Sequence, residues 1–342
     1  MNTIKNTCPV CGAGPEKRKE RSFDCTACGT ENAFVEYFVS QAAYNRWSQY
    51  IRQRCQQRRE QRLTRLRAQS SLIVGPESLS FHDGDEKRLV TFDRGGKAVT
   101  ASNVKQYSVS NLHQVTLKTN GIPTARGGND AGQCRLPDRK DIISVLAAPR
   151  CTYLVSADGT VHAYGATSLR DQLAGWANIK AIACGGNHVA GLTADGTVVQ
   201  ADSQSPGRSS AETASWRGVT AIAASSNYTL GLHSNGTVSY AGPKAEVAKE
   251  VASWRNVISI AADTQYALGL TADGGVLMAG SCSHYLDGGR SEARNWKDIL
   301  CIGAGRGVIA GLNANGQLLL AGPFLYGAEI TAAFQKNNPA KI

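Results

Sequence analysis

The chain has 342 residues and an ordinary globular composition, 42% hydrophobic and 19% charged, so it is long enough to bury a large core. It has no run of about 18 apolar residues, which excludes a membrane-spanning helix, and its N-terminus lacks the apolar stretch of a signal peptide, so we expect a cytoplasmic protein. The formal net charge is +10, but residues 1–70 contain 13 Lys and Arg against 6 Asp and Glu, so most of the excess belongs to this head.

Two C-x2-C pairs, each followed by glycine, mark residues 1–36. They are Cys8 with Cys11 and Cys25 with Cys28, separated by 13 residues. Four thiolates with this spacing can bind one Zn²⁺ tetrahedrally, and the pattern is typical of a zinc ribbon. A redox pair or two disulfides is the alternative, and the absence of a βαβ pattern around either pair favours metal. Because so short a segment has no hydrophobic core, zinc binding would supply its folding free energy.

Residues 37–70 are predicted to form an Arg-rich helix, because no Gly or Pro interrupts the chain between Val35 and Val74. A narrow apolar stripe runs through Tyr44, Trp47 and Ile51 at helical spacing. Three hypotheses remain open for this helix: it docks its stripe on the rest of the protein, it binds a partner or a second copy of the chain, or its arginines bind nucleic-acid phosphates. The candidate contact residues are Arg52, Arg54, Arg58, Arg59, Arg62 and Arg65.

The remaining chain, residues 71–342, is an internal repeat. Four copies align without gaps; each has a Trp 20 residues before the Gly of an Asp-Gly or Asn-Gly pair, and a Gly-Leu pair just ahead of that turn. Three weaker copies precede them. The seven closing glycines are Gly96, Gly121, Gly159, Gly196, Gly236, Gly274 and Gly316.

One repeat predicts three short strands, with the Asp-Gly or Asn-Gly pair as a tight hairpin turn between the second and third. A three-stranded sheet cannot bury both of its faces alone, whereas seven arranged radially bury them against each other. The sequence therefore predicts an all-β fold, a seven-bladed β-propeller, with the segment 324–334 completing the ring near residues 71–76.

These repeats resemble those of the regulator-of-chromosome-condensation family. The resemblance rests on the recurrent [His/Tyr]-x-x-Gly-Leu-x-x-[Asp/Asn]-Gly stretch and on the run from Gly127 to Gln133, which is similar to the family's G-x-N-x-x-G-Q link. It covers about residues 76–322, and the compact, Trp-led repeat looks more like bacterial members. The resemblance implies a seven-bladed propeller and admits guanine-nucleotide exchange as one activity among several on this scaffold.

The repeat accounts for the residue types that would otherwise suggest catalysis. His113 and His188 lie eight residues before their turn glycines, where other copies have Tyr228 or Cys151, so we expect them to pack inside blades. Asp158 and Asp195 occupy turn positions that are Asn elsewhere. The remaining cysteines are scattered and are interpreted as buried thiols in a reducing compartment. We therefore predict a protein that is not an enzyme.

Function is expected on the propeller's loops, because the segments between repeats differ most. His284 and Tyr285, in one such segment, are the candidate partner contacts. The favoured hypothesis is a non-catalytic protein-interaction module or regulator whose propeller binds one protein and whose zinc-ribbon and helix head docks a second. The alternatives are a nucleic-acid-associated protein that binds through residues 1–70, and a regulator similar to a guanine-nucleotide exchange factor.

Overall fold

A computed structural model of the chain describes residues 22–23, 34–35, 41–75, 78–186, 188–203, 208–225, 227–280, 288–323 and 326–337. Its contacts divide the chain into two compact units, Met1–Arg65 and Leu66–Ile342.

The first unit contains a short antiparallel strand pair and most of a long helix. Strands β1 (Ser22–Phe23) and β2 (Phe34–Val35) pair with Ser22 opposite Val35, and they flank the second cysteine pair in sequence. Helix α1 (Gln41–Gln69) has 29 residues and confirms the predicted helix, although its last residues belong to the second unit. Along α1, Ser48 and Ile51 are buried.

The second unit contains seven antiparallel sheets, each built from a continuous stretch of chain. The first blade has four strands, β3 (Ser71–Val74), β4 (Ser78–Asp83), β5 (Arg88–Asp93) and β6 (Ala98–Ala101). The second and third have three each, β7 (Val104–Val109), β8 (His113–Lys118) and β9 (Pro123–Gly127), then β10 (Ile142–Ala148), β11 (Cys151–Ser156) and β12 (Val161–Gly165).

The other four blades repeat the three-stranded pattern. Blades four and five contain β13 (Ile179–Cys184), β14 (His188–Thr193), β15 (Val198–Asp202), β16 (Val219–Ser225), β17 (Tyr228–His233) and β18 (Val238–Ala241). Blades six and seven contain β19 (Val257–Ala262), β20 (Ala267–Thr271), β21 (Val276–Ala279), β22 (Ile299–Gly305), β23 (Val308–Asn313) and β24 (Leu318–Ala321). The inner strand of each blade packs on that of the next, so the sheets form the predicted seven-bladed propeller.

The Gly-Leu pair of the four stronger repeats has a packing reason. A Cβ atom on Gly231 would lie 2.6 Å from Cζ3 of the Trp216 ring, and the same contact recurs between Gly191 and Trp176 at 2.7 Å. The indole therefore lies directly on the backbone of the second strand, where only glycine leaves room for it. This pairing explains why Trp and Gly recur together at fixed spacing.

The first repeat is displaced from the position that the closing glycines predict. The hairpin between its second and third strands is at residues 84–87, and Lys87, with φ of 52°, occupies the closing position. Its carbonyl accepts the N–H of Val104 at 2.8 Å, as the Gly196 carbonyl accepts that of Val219 at 2.9 Å. Gly96 lies in the next hairpin, between β5 and β6. The prediction of seven units is confirmed, but Gly96 as the first closing residue is wrong, because a lysine adopts the left-handed conformation usually taken by glycine.

The ring closes through packing rather than through a shared sheet. Strand β3 packs on β22, and the C-terminal helix α5 (Gly327–Asn337) packs on β24 of the last blade and β5 of the first. Phe334 on α5 is fully buried, with its ring 6.0 Å from that of Phe81 and 5.5 Å from that of Phe92. The C-terminal segment thus joins the ends of the ring as predicted, but its contacts are with β5 and β24, whereas β3, in the stretch predicted to meet it, packs on β22.

Short helices occupy the outer edge between later blades, where the sequence predicted variable segments. They are α2 (Arg170–Ala174), α3 (Arg208–Thr213), α4 (Ala245–Ala252) and a 3-10 helix (Arg290–Asn295). Helices α3, α4 and the 3-10 helix each contact the third strand of their own blade and that of the next blade. They therefore fill the wedge that opens between diverging sheets.

Candidate recognition face of the propeller

The two ends of the ring differ in character. We call the end that holds the hairpins between second and third strands the turn face, and the end that holds the connections between first and second strands the loop face. On the turn face, Gly121, Gly159, Gly196, Gly236, Gly274 and Gly316 all have φ between 76° and 88°. Their near-identical conformation makes the turn face a repeated structural element.

The loop face is irregular and opens into a central cavity. Its described connections have different sequences, including residues 110–112, 149–150, 185–186, 263–266 and 306–307. The inner strands end around a cavity of about 330 Å³ lined largely by small residues such as Ser108, Ser225, Ala262 and Gly305. Among the described residues that line it, Arg306 is the one with a charge, and it is exposed.

A buried ion pair supports the loop of the seventh blade. Asp263 and Arg290 are 1% and 5% exposed, and Arg290 Nη1 lies 3.1 Å from Asp263 Oδ2. The other oxygen, Oδ1, accepts the N–H of Gly307 at 2.9 Å. The Arg290 guanidinium also lies over the Tyr266 ring, 5.7 Å from its centroid. The pair therefore links the sixth and seventh blades beside the cavity.

The repeated His or Tyr position holds neighbouring blades together. His113 Nε2 lies 2.7 Å from the Thr152 hydroxyl, and His188 Nε2 lies 2.9 Å from the Thr229 hydroxyl. Tyr228 donates its hydroxyl to the Asp263 carbonyl at 2.7 Å. The prediction that these side chains are structural is confirmed, but their bonds cross to the next blade rather than staying inside one.

Burial lowers the pKa of both histidines, because the charged imidazolium would lose its hydration. Burial likewise raises the pKa of the Cys151 thiol to about 11 and that of Cys301 to about 12. Both thiols are free and buried, so they remain protonated and unreactive near neutral pH. These groups are part of the core of the propeller.

Of the candidate contact and metal-binding residues predicted from sequence, the structure describes the six arginines of α1. Arg52, Arg54, Arg58, Arg59 and Arg65 are exposed on α1, and Arg62 is partly exposed. The Arg54 guanidinium lies 5.6 Å from the centroid of the Tyr50 ring. The zinc-ligand candidates Cys8, Cys11, Cys25 and Cys28 and the contact candidates His284 and Tyr285 lie outside the described residues.

Sequence reasoning missed Arg306, Asp263 and Arg290. Arg306 is flanked by Gly305 and Gly307, a Gly-Arg-Gly signal that could have marked an unusual loop. Nothing in the sequence indicates that Asp263 and Arg290, 27 residues apart, form a buried pair.

Within the described part of the chain, no group of three or more His, Cys, Asp or Glu side chains is arranged to bind a metal. The same residues include no helix that is long and apolar enough to span a bilayer.

Comparisons with known proteins identify similar folds. No protein-family model and no curated protein sequence matches the chain. The CRINKLY WD40 ectodomain of the receptor kinase ACR4 from Arabidopsis thaliana is similar, with a TM-score of 0.54 and 12% identity, covering 74% of this chain and 94% of that one. At this identity the likeness shows the fold alone, a β-propeller.

Yeast RCC1 (Prp20) is also among the similar structures. Prp20p from Saccharomyces cerevisiae, described with its binding properties to Gsp1p and histones, has a TM-score of 0.49 and 15% identity, covering 78% of this chain and 85% of that one. The same yeast protein in complex with Kap60 gives a TM-score of 0.49 and 14% identity, covering 78% and 82%.

Proposed function

We propose that this protein is a non-catalytic recognition module that binds a protein partner at the loop face of its propeller. The observation that carries the proposal is the difference between the two ends of the ring. The turn face repeats one hairpin, whereas the loop face combines varied connections with an open cavity and an exposed apolar side chain, Leu112, at 45% exposure. A rigid ring with one variable end is suited to selecting a partner.

The head is proposed to dock a second partner and to bind one zinc ion through Cys8, Cys11, Cys25 and Cys28. The antiparallel pair of β1 and β2 supports this, because it flanks Cys25 and Cys28 in sequence. Pairing of these two strands brings together the ends of the segment that contains Cys25 and Cys28.

The test first captures a partner with the full-length chain and identifies it by mass spectrometry. Its affinity is then measured for the unmodified chain, for L112D/T264D on the loop face, and for A194E on the turn face; all three positions are exposed. We expect L112D/T264D to lose binding, because carboxylates replace contacts at the interface, and A194E to keep it. Equal affinity of all three proteins, or loss only in A194E, would contradict the proposal.

A second candidate, nucleic-acid binding by the head, is favoured by the exposed arginines of α1. Four of them, Arg52, Arg54, Arg58 and Arg59, lie within about two helical turns. Binding through such a cluster should weaken steeply with salt, and the quadruple Arg-to-Gln variant should lower both affinity and salt dependence. Anisotropy with DNA and RNA oligonucleotides tests this, and binding unchanged in that variant would exclude the helix as the site.

A further inference from the structure

The central cavity of the loop face contains an unbalanced positive charge. Its described lining includes two inner-strand serines, Ser108 and Ser225, with Ser110 just after β7 and small or apolar residues, but no Asp or Glu, and Arg306 is its one charged member. The bond that the structure gives the Arg306 guanidinium is to the side-chain oxygen of Asn111, a neutral acceptor from the second blade. Because guanidinium has five donors, one amide oxygen leaves most of them available to a ligand.

The backbone holds Arg306 in place. It has φ of 54°, a conformation that costs free energy for a residue with a Cβ, and Gly307 follows with φ of 80°. The Gly307 N–H is fixed by Asp263, whose carboxylate is itself buried and paired with Arg290. A buried ion pair thus supports a loop in which a strained arginine projects at the mouth of the cavity. This arrangement is preorganised, because the supporting residues are already bonded before a ligand arrives.

We propose that Arg306 is the anchor through which the loop face binds a carboxylate of its protein partner, supplied by an Asp or Glu in an acidic segment. The proposal rests on the proposed function of that face. Guanidinium and carboxylate match in charge and in bidentate geometry, so a carboxylate is a better acceptor than the Asn111 amide. Exposed Leu112, next to Asn111, offers an apolar contact beside the anchor.

A protein carboxylate fits this cavity better than a nucleic-acid backbone does. Binding to a phosphodiester chain draws its affinity from several cations along the strand. The described lining comes from six of the seven blades and includes one cation, Arg306. One charge in a concave site is suited to one acidic side chain.

The test selects peptides from a random displayed library against the full-length chain and measures their affinity by fluorescence anisotropy. The main variant is R306G, because glycine adopts the observed φ without strain and should leave the melting temperature unchanged or higher. R306K keeps the positive charge but loses the planar guanidinium group that can bind a carboxylate through two hydrogen bonds. R150Q is the matched control, since Arg150 is also exposed on the loop face but does not line the central cavity.

We expect the selected peptides to be enriched in Asp and Glu, and R306G to weaken binding by about 10- to 100-fold. R306K should weaken it less, and R150Q should have little effect. Replacing the peptide's critical acid by its amide should weaken binding to the unmodified chain but not further weaken binding to R306G. Failure to select acidic peptides, or equal affinity of R306G, would overturn the proposal.

The captured natural partner separates this proposal from the broader one. If R306G binds the partner normally while L112D/T264D does not, the loop face is the recognition site and Arg306 is not its anchor. If both variants bind normally, both proposals fail.

Discussion

In each of the four Trp-led repeats, a glycine of the second strand makes room for the tryptophan ring that packs on it. In the fifth blade, Trp216 is 7% exposed and its ring occupies the space that a Cβ on Gly231 would need. The neighbouring Leu230 and Leu232 are buried on the opposite face of the same strand. One strand thus presents glycine to an indole on one side and leucines to the sheet interface on the other.

We predict that Gly231→Ala destabilises the protein by about 1–3 kcal/mol, because the added methyl forces the buried Trp216 ring or the strand to move. Gly175→Ala is the control: a Cβ there meets nothing within 4 Å, and φ is an ordinary −85°. The control should be neutral or slightly stabilising. Urea unfolding followed by Trp fluorescence measures both, and equal stability of the two variants would contradict the packing role.

The buried histidines should make stability depend on pH. Burial lowers the pKa of His113 and His188 in the folded state, so below the ordinary value near 6.5 the unfolded chain binds more protons. The free energy of unfolding is therefore retained above about pH 6.5, and it falls as the pH decreases through the folded-state pKa values of the two histidines. Urea unfolding between about pH 7 and pH 5 should show this loss. The double variant H113N/H188N should flatten the curve, and an unchanged slope would show that other groups cause it.

At the scale of elements, strand starts and turns are interlocked around the ring. Asn178 and Asn256, each just before an inner strand, have φ of 59° and 58°. The N–H of Ala194 donates to the Asn178 carbonyl at 2.8 Å, while that of Ile179 donates to the preceding blade's Gly159 at 3.1 Å. Each hairpin turn therefore fixes the start of its own blade and of the next.

The proposed zinc ribbon of residues 1–36 is an element whose stability should come from metal. We predict about one zinc per chain by mass-spectrometric metal analysis, and its loss in Cys8→Ser, because three thiolates bind zinc less tightly than four. Cys55→Ser is the matched control, since Cys55 lies on α1, outside the two C-x2-C pairs. A metal-free unmodified chain, or equal zinc in both variants, would argue for a different role of the four cysteines.

At the scale of the whole molecule, the ring is closed by a helix that packs on its first and last blades. Phe334 inserts between Phe81 and Phe92 of the first blade. These contacts join the two ends of the propeller, which are more than 200 residues apart in sequence. The C-terminal helix thus joins the ends without completing a sheet.

We predict that Phe334→Ala costs about 3–5 kcal/mol, because it leaves a cavity where a fully buried ring packs on two others. Gln335→Ala, on the exposed side of the same helix, should change stability by less than about 0.5 kcal/mol. Thermal unfolding compares the two, and a Phe334→Ala variant as stable as the control would show that the ring closes without the helix.

The repeat count, the strand order within a blade and the structural role of His113 and His188 were predictable from sequence. Fixed spacing of Trp, Gly-Leu and Asp-Gly reflects local rules, namely hairpin geometry and the contact of an indole with the strand beside it. Such contacts join residues of one repeat or of neighbouring repeats, so they appear in the sequence as residue types at fixed spacing. The first repeat was misplaced at Gly96 because Lys87 takes the left-handed turn position without a sequence signal.

Only the tertiary structure decided which end of the ring is variable, and which residues meet across it. Arg306 and Asn111 are 195 residues apart in sequence, and no periodicity relates them. Asp263 and Arg290 come together because the sixth blade packs against the segment that follows it. Sequence by itself determined seven blades and a basic head, because both follow from local spacing and composition. The cavity beside Arg306 forms only when the ring closes, because closure brings loops that are distant in sequence together around one axis.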